Sequence, residues 1–330
     1  MQTFDSNVKH ERDTKMNNDR FELSYPIGSV IWDGKKISKI PDSDISGSLD
    51  LMQQYGIQDV MITGYQVEEP SDFDMDAETK RLGVELVTRG MHTAQHHGLS
   101  ATCAPLGTSQ VETIEHIKRG VDFTAKLGAR ALVLHTGRMA GRPSGKETYR
   151  DCFEAECTKH GRQRVLETCA ENLHIAGEHA EGCGVVIAME NLDRFEPFAN
   201  IVELPQLIAL ANSPAVGYCL DTGHAHCAGT DIVKWIDVMG EKLFTTHVHD
   251  NHGPSQEVVN STGYVSPMGI DEHLPPGFGT IPWNEVITGL RRSGYAHTLN
   301  FESGGWPGLS LSEGLKCAIN YWRTCEYLVR

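Results

Sequence analysis

The chain has 330 residues, 39% of them apolar and 22% charged, a balance that suits a globular domain with a sizeable core. A net charge of −15 with no dense Lys/Arg run argues against a nucleic-acid or membrane partner and leaves a small molecule as the expected one. No run approaches the roughly 18 apolar residues of a membrane span. The start, MQTFDSNVKHERDTKMNNDR, lacks the apolar stretch of a secretory signal.

Residues 1–22 read as a polar N-terminal extension, and 23–330 as one domain. Nine cysteines occur without a CxxC pair, which speaks against structural zinc and a disulfide framework and for a reducing cytoplasm. Cys183 and Cys219 sit near or in apolar runs and are expected as buried thiols.

Eight apolar runs read as strands: 25–32, 57–63, 99–105, 129–136, 184–191, 216–222, 243–250 and 298–303. Most are separated by segments of helical period. In VETIEHIKRGVDFTAKLG, apolar Val111, Ile114, Ile117, Val121 and Phe123 are followed by Leu127 and a terminal Gly128, a helix stop. The stretch GVELVTRGMHTAQHHG also reads as helical. His92 and His96 are four apart within it, a metal-ligand spacing, but they read as a solvated helix end. Alternation of strand and helix without an obvious boundary predicts an α/β fold, a single-domain (β/α)8 TIM barrel. The irregular pieces 137–160 and 251–280 follow the fourth and seventh strands, so they belong to the face that carries chemistry.

Four strands end in polar clusters: VVIAMEN, GYCLDTGH, FTTHVHDN and LNFESG. Each sets a ligand-type residue at a strand tip: Glu190, Asp221, His247 and Glu302. At the tip of a strand buried on both faces such a residue needs a partner such as a metal or a substrate. Singly, Glu190 also reads as a helix N-cap or rim ion pair, Asp221 as a turn-former and either histidine of HVHD as a core residue; the four together favour a metal. Three carboxylates and one imidazole make a mostly hard-oxygen set, which favours Mn²⁺ or Mg²⁺, with Co²⁺ and Zn²⁺ as alternatives. Such an ion polarises a sugar carbonyl and stabilises the enediolate left when a neighbouring proton departs. Glu190 and Glu302 are then the candidate proton carriers. His224 follows Asp221 by three residues, and His249 shares a strand face with His247. His135, Asp271, His273 and Trp283 complete the candidate substrate-binding residues; Trp283 and Trp306 could stack on a sugar face, with packing as the equal alternative. Arg138, Arg142 and Lys146 are the cations nearest to a phosphate site.

At these motifs the sequence resembles the xylose-isomerase-like TIM barrel superfamily of sugar and sugar-phosphate isomerases and epimerases, which also includes AP endonuclease family 2. The resemblance runs from about residue 25 and is specific in the second half. It implies that Glu190 of AMEN, Asp221 of LDTGH, His247 of HVHD and Glu302 of FES hold the metal, and that His224 contacts substrate. PGFGTIPW resembles the family's PGxGxIxW turn. The endonuclease branch would add zinc ligands at His135, His224, Asp271 and His273, but has a histidine where this chain has Cys103. A third branch, the catalytic subunits of C-glycoside deglycosidases, uses a metal and a histidine base, here His135 or His249, with a small partner subunit. The expectation is therefore a cytoplasmic, metal-dependent sugar isomerase or epimerase, homo-oligomeric. The alternatives are a lyase on 3-keto-glycosides, a zinc phosphodiesterase and a non-catalytic sugar-binding barrel.

Overall fold

The computed structural model describes residues 20–27, 42–63, 74–98, 110–136, 149–192, 196–254, 271–303 and 308–330. Eight parallel strands form a closed barrel in sequence order: β1 (Leu23–Ile27), β2 (Asp59–Thr63), β3 (His92–His97), β4 (Ala131–Leu134), β5 (Val186–Glu190), β6 (Val216–Asp221), β7 (Leu243–Val248) and β8 (Leu299–Phe301). Closure comes from β1 pairing with β8, Leu23 opposite Leu299 and Ser24 opposite Asn300. The single-domain (β/α)8 expectation stands.

Helices α1 (Asp42–Gln54), α2 (Met75–Val87), α3 (Gln110–Lys126), α4 (Tyr149–His160), α5 (Arg162–Cys183), α6 (Glu203–Ala211), α7 (Thr222–Cys227), α8 (Ile232–Met239), α9 (Trp283–Arg292) and α10 (Leu311–Leu328) lie among the described residues. In α3, Ile114, Ile117, Val121 and Thr124 are buried, spaced three or four apart, and Gly128 ends the unit at φ +71°. Val111, expected on that face, is 71% exposed. A capping box between Ser310 and Glu313 starts α10. Helices cover the strands' outward side chains, so Ile27, Ile62, Leu132, Ile187, Leu220 and Phe301 join one continuous core with the helix faces.

The barrel interior departs from the usual branched aliphatic filling. Ser24, Gln95, Thr245 and Asn300 are buried there and hydrogen-bond in a chain that reaches His247. Burying that many polar groups costs little only because each finds a partner.

One expected strand is misplaced. Residues 99–105 lie outside the described set, and β3 instead comprises His92–His97, within the stretch that reads as a helix. The burial alternates with the strand: Thr93 and Gln95 are enclosed, while His92 is exposed. His96 is fully buried against α3, with its Nδ1 2.9 Å from Thr124 Oγ1 and its ring edge-on to Phe123. It is thus a core histidine packed against α3, not a solvated helix end. Cys219 is buried as expected, but Cys183, at the end of α5, is exposed.

At Gly217, in β6, a Cβ would sit 2.5 Å from the Lys242 carbonyl oxygen and from the Phe244 ring. Gly217→Ala must therefore push β6 from β7, and is expected to lower the unfolding free energy by about 2 kcal/mol or more. Urea denaturation with an unchanged midpoint would contradict that placement.

Candidate metal centre and active site

The strand tips converge as the sequence suggested. Glu190 ends β5, Asp221 ends β6, His247 lies in β7, and Glu302 directly follows β8. His247 Nδ1 lies 3.0 Å from Glu302 Oε2, 3.4 Å from Glu190 Oε2 and 3.8 Å from Asp221 Oδ2. One imidazole nitrogen thus faces all three carboxylates. Its other nitrogen, Nε2, meets the Gln95 side-chain amide at 2.5 Å. The atom facing the ring is the amide nitrogen, while the Gln95 oxygen accepts from Thr245 Oγ1; with the amide turned over, its oxygen would accept the proton that a ligating imidazole carries on its far nitrogen.

Two neighbouring devices hold this arrangement. Asn191 accepts from the Asp221 N–H at 2.7 Å and donates to the Asp221 carbonyl at 2.9 Å, which ties the tip of β5 to that of β6. Asp221 also caps α7, its Oδ1 accepting from His224 N at 2.6 Å. Gly223 leaves room for the His249 ring, because a Cβ there would lie 1.9 Å from it.

A second group adjoins the first. His224, His249, Asp271 and His273 bring ligand atoms within 4.8 Å of one another. Asp271 Oδ2 lies 3.1 Å from His224 Nε2 and 2.9 Å from His273 Nε2. The His249 and His273 rings stack at 4.1 Å. The groups touch through His224 Nδ1, 3.0 Å from Glu190 Oε1, and through His249 Nε2, 3.0 Å from Asp221 Oδ2. His135 joins on the other side, 3.3 Å from Glu190 Oε2 and 3.0 Å from Glu196 Oε1.

Asp250 fixes the segment that carries Asp271 and His273. Its carboxylate accepts from the backbone N–H groups of Asn251, Gly277 and Ile281 and from the Trp283 indole, at 2.8–3.1 Å. Asp250 and Leu274 also exchange backbone bonds. This explains the PGFGTIPW run, whose amides converge on one buried acid. It also corrects Trp283 as a sugar-stacking residue. The ring is 2% exposed, packs edge-on to Trp322 and spends its N–H on Asp250, so no face is open to a ligand. Trp306, Arg138, Arg142, Lys146 and Cys103 fall outside the described residues.

The donor set suits a divalent cation. Glu190 is buried, yet neither of its oxygens makes a contact of hydrogen-bond geometry, although four imidazoles lie within 3.0–3.6 Å of them. His247 Nδ1 and Asp271 Oδ1 are in the same position. Buried polar atoms without such bonds are costly, and a shared cation satisfies them together. The electrostatics agree. Burial opposes the charge on Glu190, but His247 and His135 outweigh it and hold the carboxyl well below its ordinary range. Burial likewise opposes charge on His247 and His224, yet neighbouring acids raise both. His273, buried beside Asp271 and Glu302, and His135, buried beside Glu196 and Glu190, are each raised to about 9.

Sequence reasoning missed two residues. His97 lies at the end of β3, its ring stacked on His247 at 4.9 Å and its Nε2 3.6 Å from Glu190. Burial holds it down to about 4 despite Glu302. It forms one ligand group with Glu190, His247 and Glu302. Glu196, the partner of His135, is the other.

The sequence pattern of the xylose isomerase-like TIM barrel family matches residues 49–323. The chain belongs to this family. Among curated relatives, it is 27% identical over 128 residues to fructoselysine 3-epimerase of Escherichia coli O157:H7, covering 38% of this chain and 41% of that protein. It is 28% identical over 188 residues to a probable endonuclease 4 of Bacillus licheniformis, covering 52% of each. The chain spans about half the length of the curated relatives it matches. A crystal structure of IolI with a bound zinc atom superimposes with a TM-score of 0.66 at 17% identity, over 94% of this chain and 99% of that one.

Asp250→Asn sets an NH₂ group against N–H donors and frees the 271–281 segment. It is expected to cost about 2–4 kcal/mol of stability and to weaken divalent-ion binding. Thermal unfolding and metal titration check this, and a wild-type melting temperature would contradict it.

Proposed function

We propose that this protein is a divalent-metal-dependent epimerase or isomerase of a sugar or keto-sugar, working by proton transfer beside a carbonyl. The observation that carries this reading is the pairing of Glu190 and Glu302. They enter from β5 and β8, strands that are not neighbours, and meet the same nitrogen of His247. Glu190 is 1% exposed and Glu302 19%, so one carboxylate is enclosed and the other opens toward solvent. A proton taken by one and returned by the other inverts a carbon; taken and returned by one, it moves between carbons.

The site holds at least one ion among Glu190, Asp221, His247 and Glu302, with Mn²⁺ favoured by the oxygen-rich set and Zn²⁺ an alternative that IolI's bound zinc makes reasonable. When bound, the ion supplies Lewis-acid polarisation of the carbonyl. His135 sits between Glu190 and Glu196, placed to donate to a substrate oxygen or to receive a proton. The likeness to fructoselysine 3-epimerase supports the class of reaction.

A second reading has its own support. His224, His249, Asp271 and His273 form a further ligand group beside the first, and two adjacent ions suit phosphodiester chemistry, the class of the endonuclease 4 relative. The acidic balance of −15 weighs against a DNA substrate.

The test is proton exchange in deuterated water with a panel of ketoses and 3-keto-glucosides, the protein loaded with Mn²⁺. Deuterium appearing beside the carbonyl is expected. Glu302→Gln should lower that exchange by at least about 10²-fold while circular dichroism is unchanged. Release of an aglycone instead would mark a lyase. Cleavage of abasic DNA by zinc-loaded protein, without exchange on any sugar, would replace this reading with the second.

A further inference from the structure

Asp122, His179 and Cys183 form a ligand group on the outer helix layer, well away from the strand tips that carry the barrel centre. Asp122 belongs to α3; His179 and Cys183 lie four apart on α5, hence on one face of that helix. Their ligand atoms make a small triangle. His179 Nε2 lies 2.7 Å from Asp122 Oδ1, and Cys183 Sγ lies 3.8 Å from that nitrogen and 3.9 Å from that oxygen.

The triangle rules out one function for a Cys-His-Asp set. A nucleophilic cysteine needs the acid on one ring nitrogen and the thiol on the other. Here both meet the same Nε2. Convergence of three ligand atoms on one point is what a shared cation requires. A tetrahedral zinc ion with bonds of about 2.0–2.3 Å sets its nitrogen and oxygen ligands roughly 3.3 Å apart and its sulfur roughly 3.5 Å from each. The observed edges differ from that by about half an ångström, within reach of small side-chain rotations.

Two further features favour a cation at this place. Cys183 is the last residue of α5, a helix of 22 residues, so the site sits at the negative end of its dipole. The last turn of α5 carries no basic residue to fill that role. The end of α5 leads into the start of β5, which puts the group at the face of the barrel opposite the strand tips.

We propose that Asp122, His179 and Cys183 bind a borderline-soft divalent ion of the zinc class, with solvent completing the coordination, and that this ion clasps α3 to α5. Binding transfers the thiol proton to solvent and leaves the proton of His179 on Nδ1. Burial and the neighbouring Asp122 raise the Cys183 thiol, so the uncomplexed group is a neutral thiol beside a hydrogen-bonded His–Asp pair. The assignment is independent of the barrel reaction, and its test is chosen to be so.

The metal-free full-length protein is titrated with Co²⁺ and followed by near-ultraviolet absorption, where a thiolate-to-cobalt charge-transfer band reports a sulfur ligand. Among the described residues the barrel-centre groups contain only imidazoles and carboxylates, so a band that is lost in Cys183→Ser belongs to the outer group. The expected result is a band that saturates at one cobalt per site, disappears on addition of Zn²⁺, persists in Glu302→Gln and is lost in Cys183→Ser and His179→Ala. Zinc bound per chain should fall by one in Cys183→Ser, with sugar exchange unchanged. Cobalt binding without the band, or a band that survives Cys183→Ser, would overturn the proposal.

Discussion

Three carboxylates gathered around one buried imidazole set the terms for the rest of this barrel. Glu190 and Asp221 are fully enclosed, and among the described residues the ionisable groups close to them are imidazoles. Negative charge at that density survives burial only when positive charge is supplied. Burial opposes charge on His135, His224, His247 and His273 as well, yet their neighbours hold all four above their ordinary values. A divalent ion supplies positive charge without protons and frees the imidazoles to act as ligands or as acids and bases. Much of the local architecture serves to keep this set in register. Gln95 orients His247, Asn191 ties Asp221 to β5, and Asp250 gathers the amides of the segment after β7.

The same constraint accounts for the polar barrel interior. A chain from Ser24 through Asn300, Thr245 and Gln95 ends on the imidazole. Aliphatic filling would have packed as well but could not fix the ring's tautomer or its aim. The cost of burying these groups is offset by their mutual satisfaction, so orientation at the mouth is built from the floor upward.

The second half of the fold was legible because its strands are short apolar runs that stop at a charged residue, as in VVIAMEN and GYCLDTGH. That pattern has few other physical meanings. Its candidate ligand residues came with it, and the structure brings Glu190, Asp221, His247 and Glu302 to one point. The first half lacked the signal. β3 is His92–His97, and its inward residues are polar because they belong to the interior chain and the site. Apolar periodicity therefore could not find it. A usable sign was Gly90, which separates α2 from β3, together with the alternation of Thr93, Gln95 and His97. Trp283 and Cys183 were misread for a common reason. Sequence gives residue type, whereas exposure depends on what the fold places beside it: Asp250 in one case, open solvent in the other.

The central claim is that the strand-tip carboxylates and His247 are a cation site. Crystals soaked in Mn²⁺ and measured by anomalous diffraction test it most directly. The account predicts a peak about 2.0–2.3 Å from oxygens of Glu190, Asp221 and Glu302 and from His247 Nδ1. A well-ordered site with no anomalous peak there, and those side chains unmoved, would contradict it.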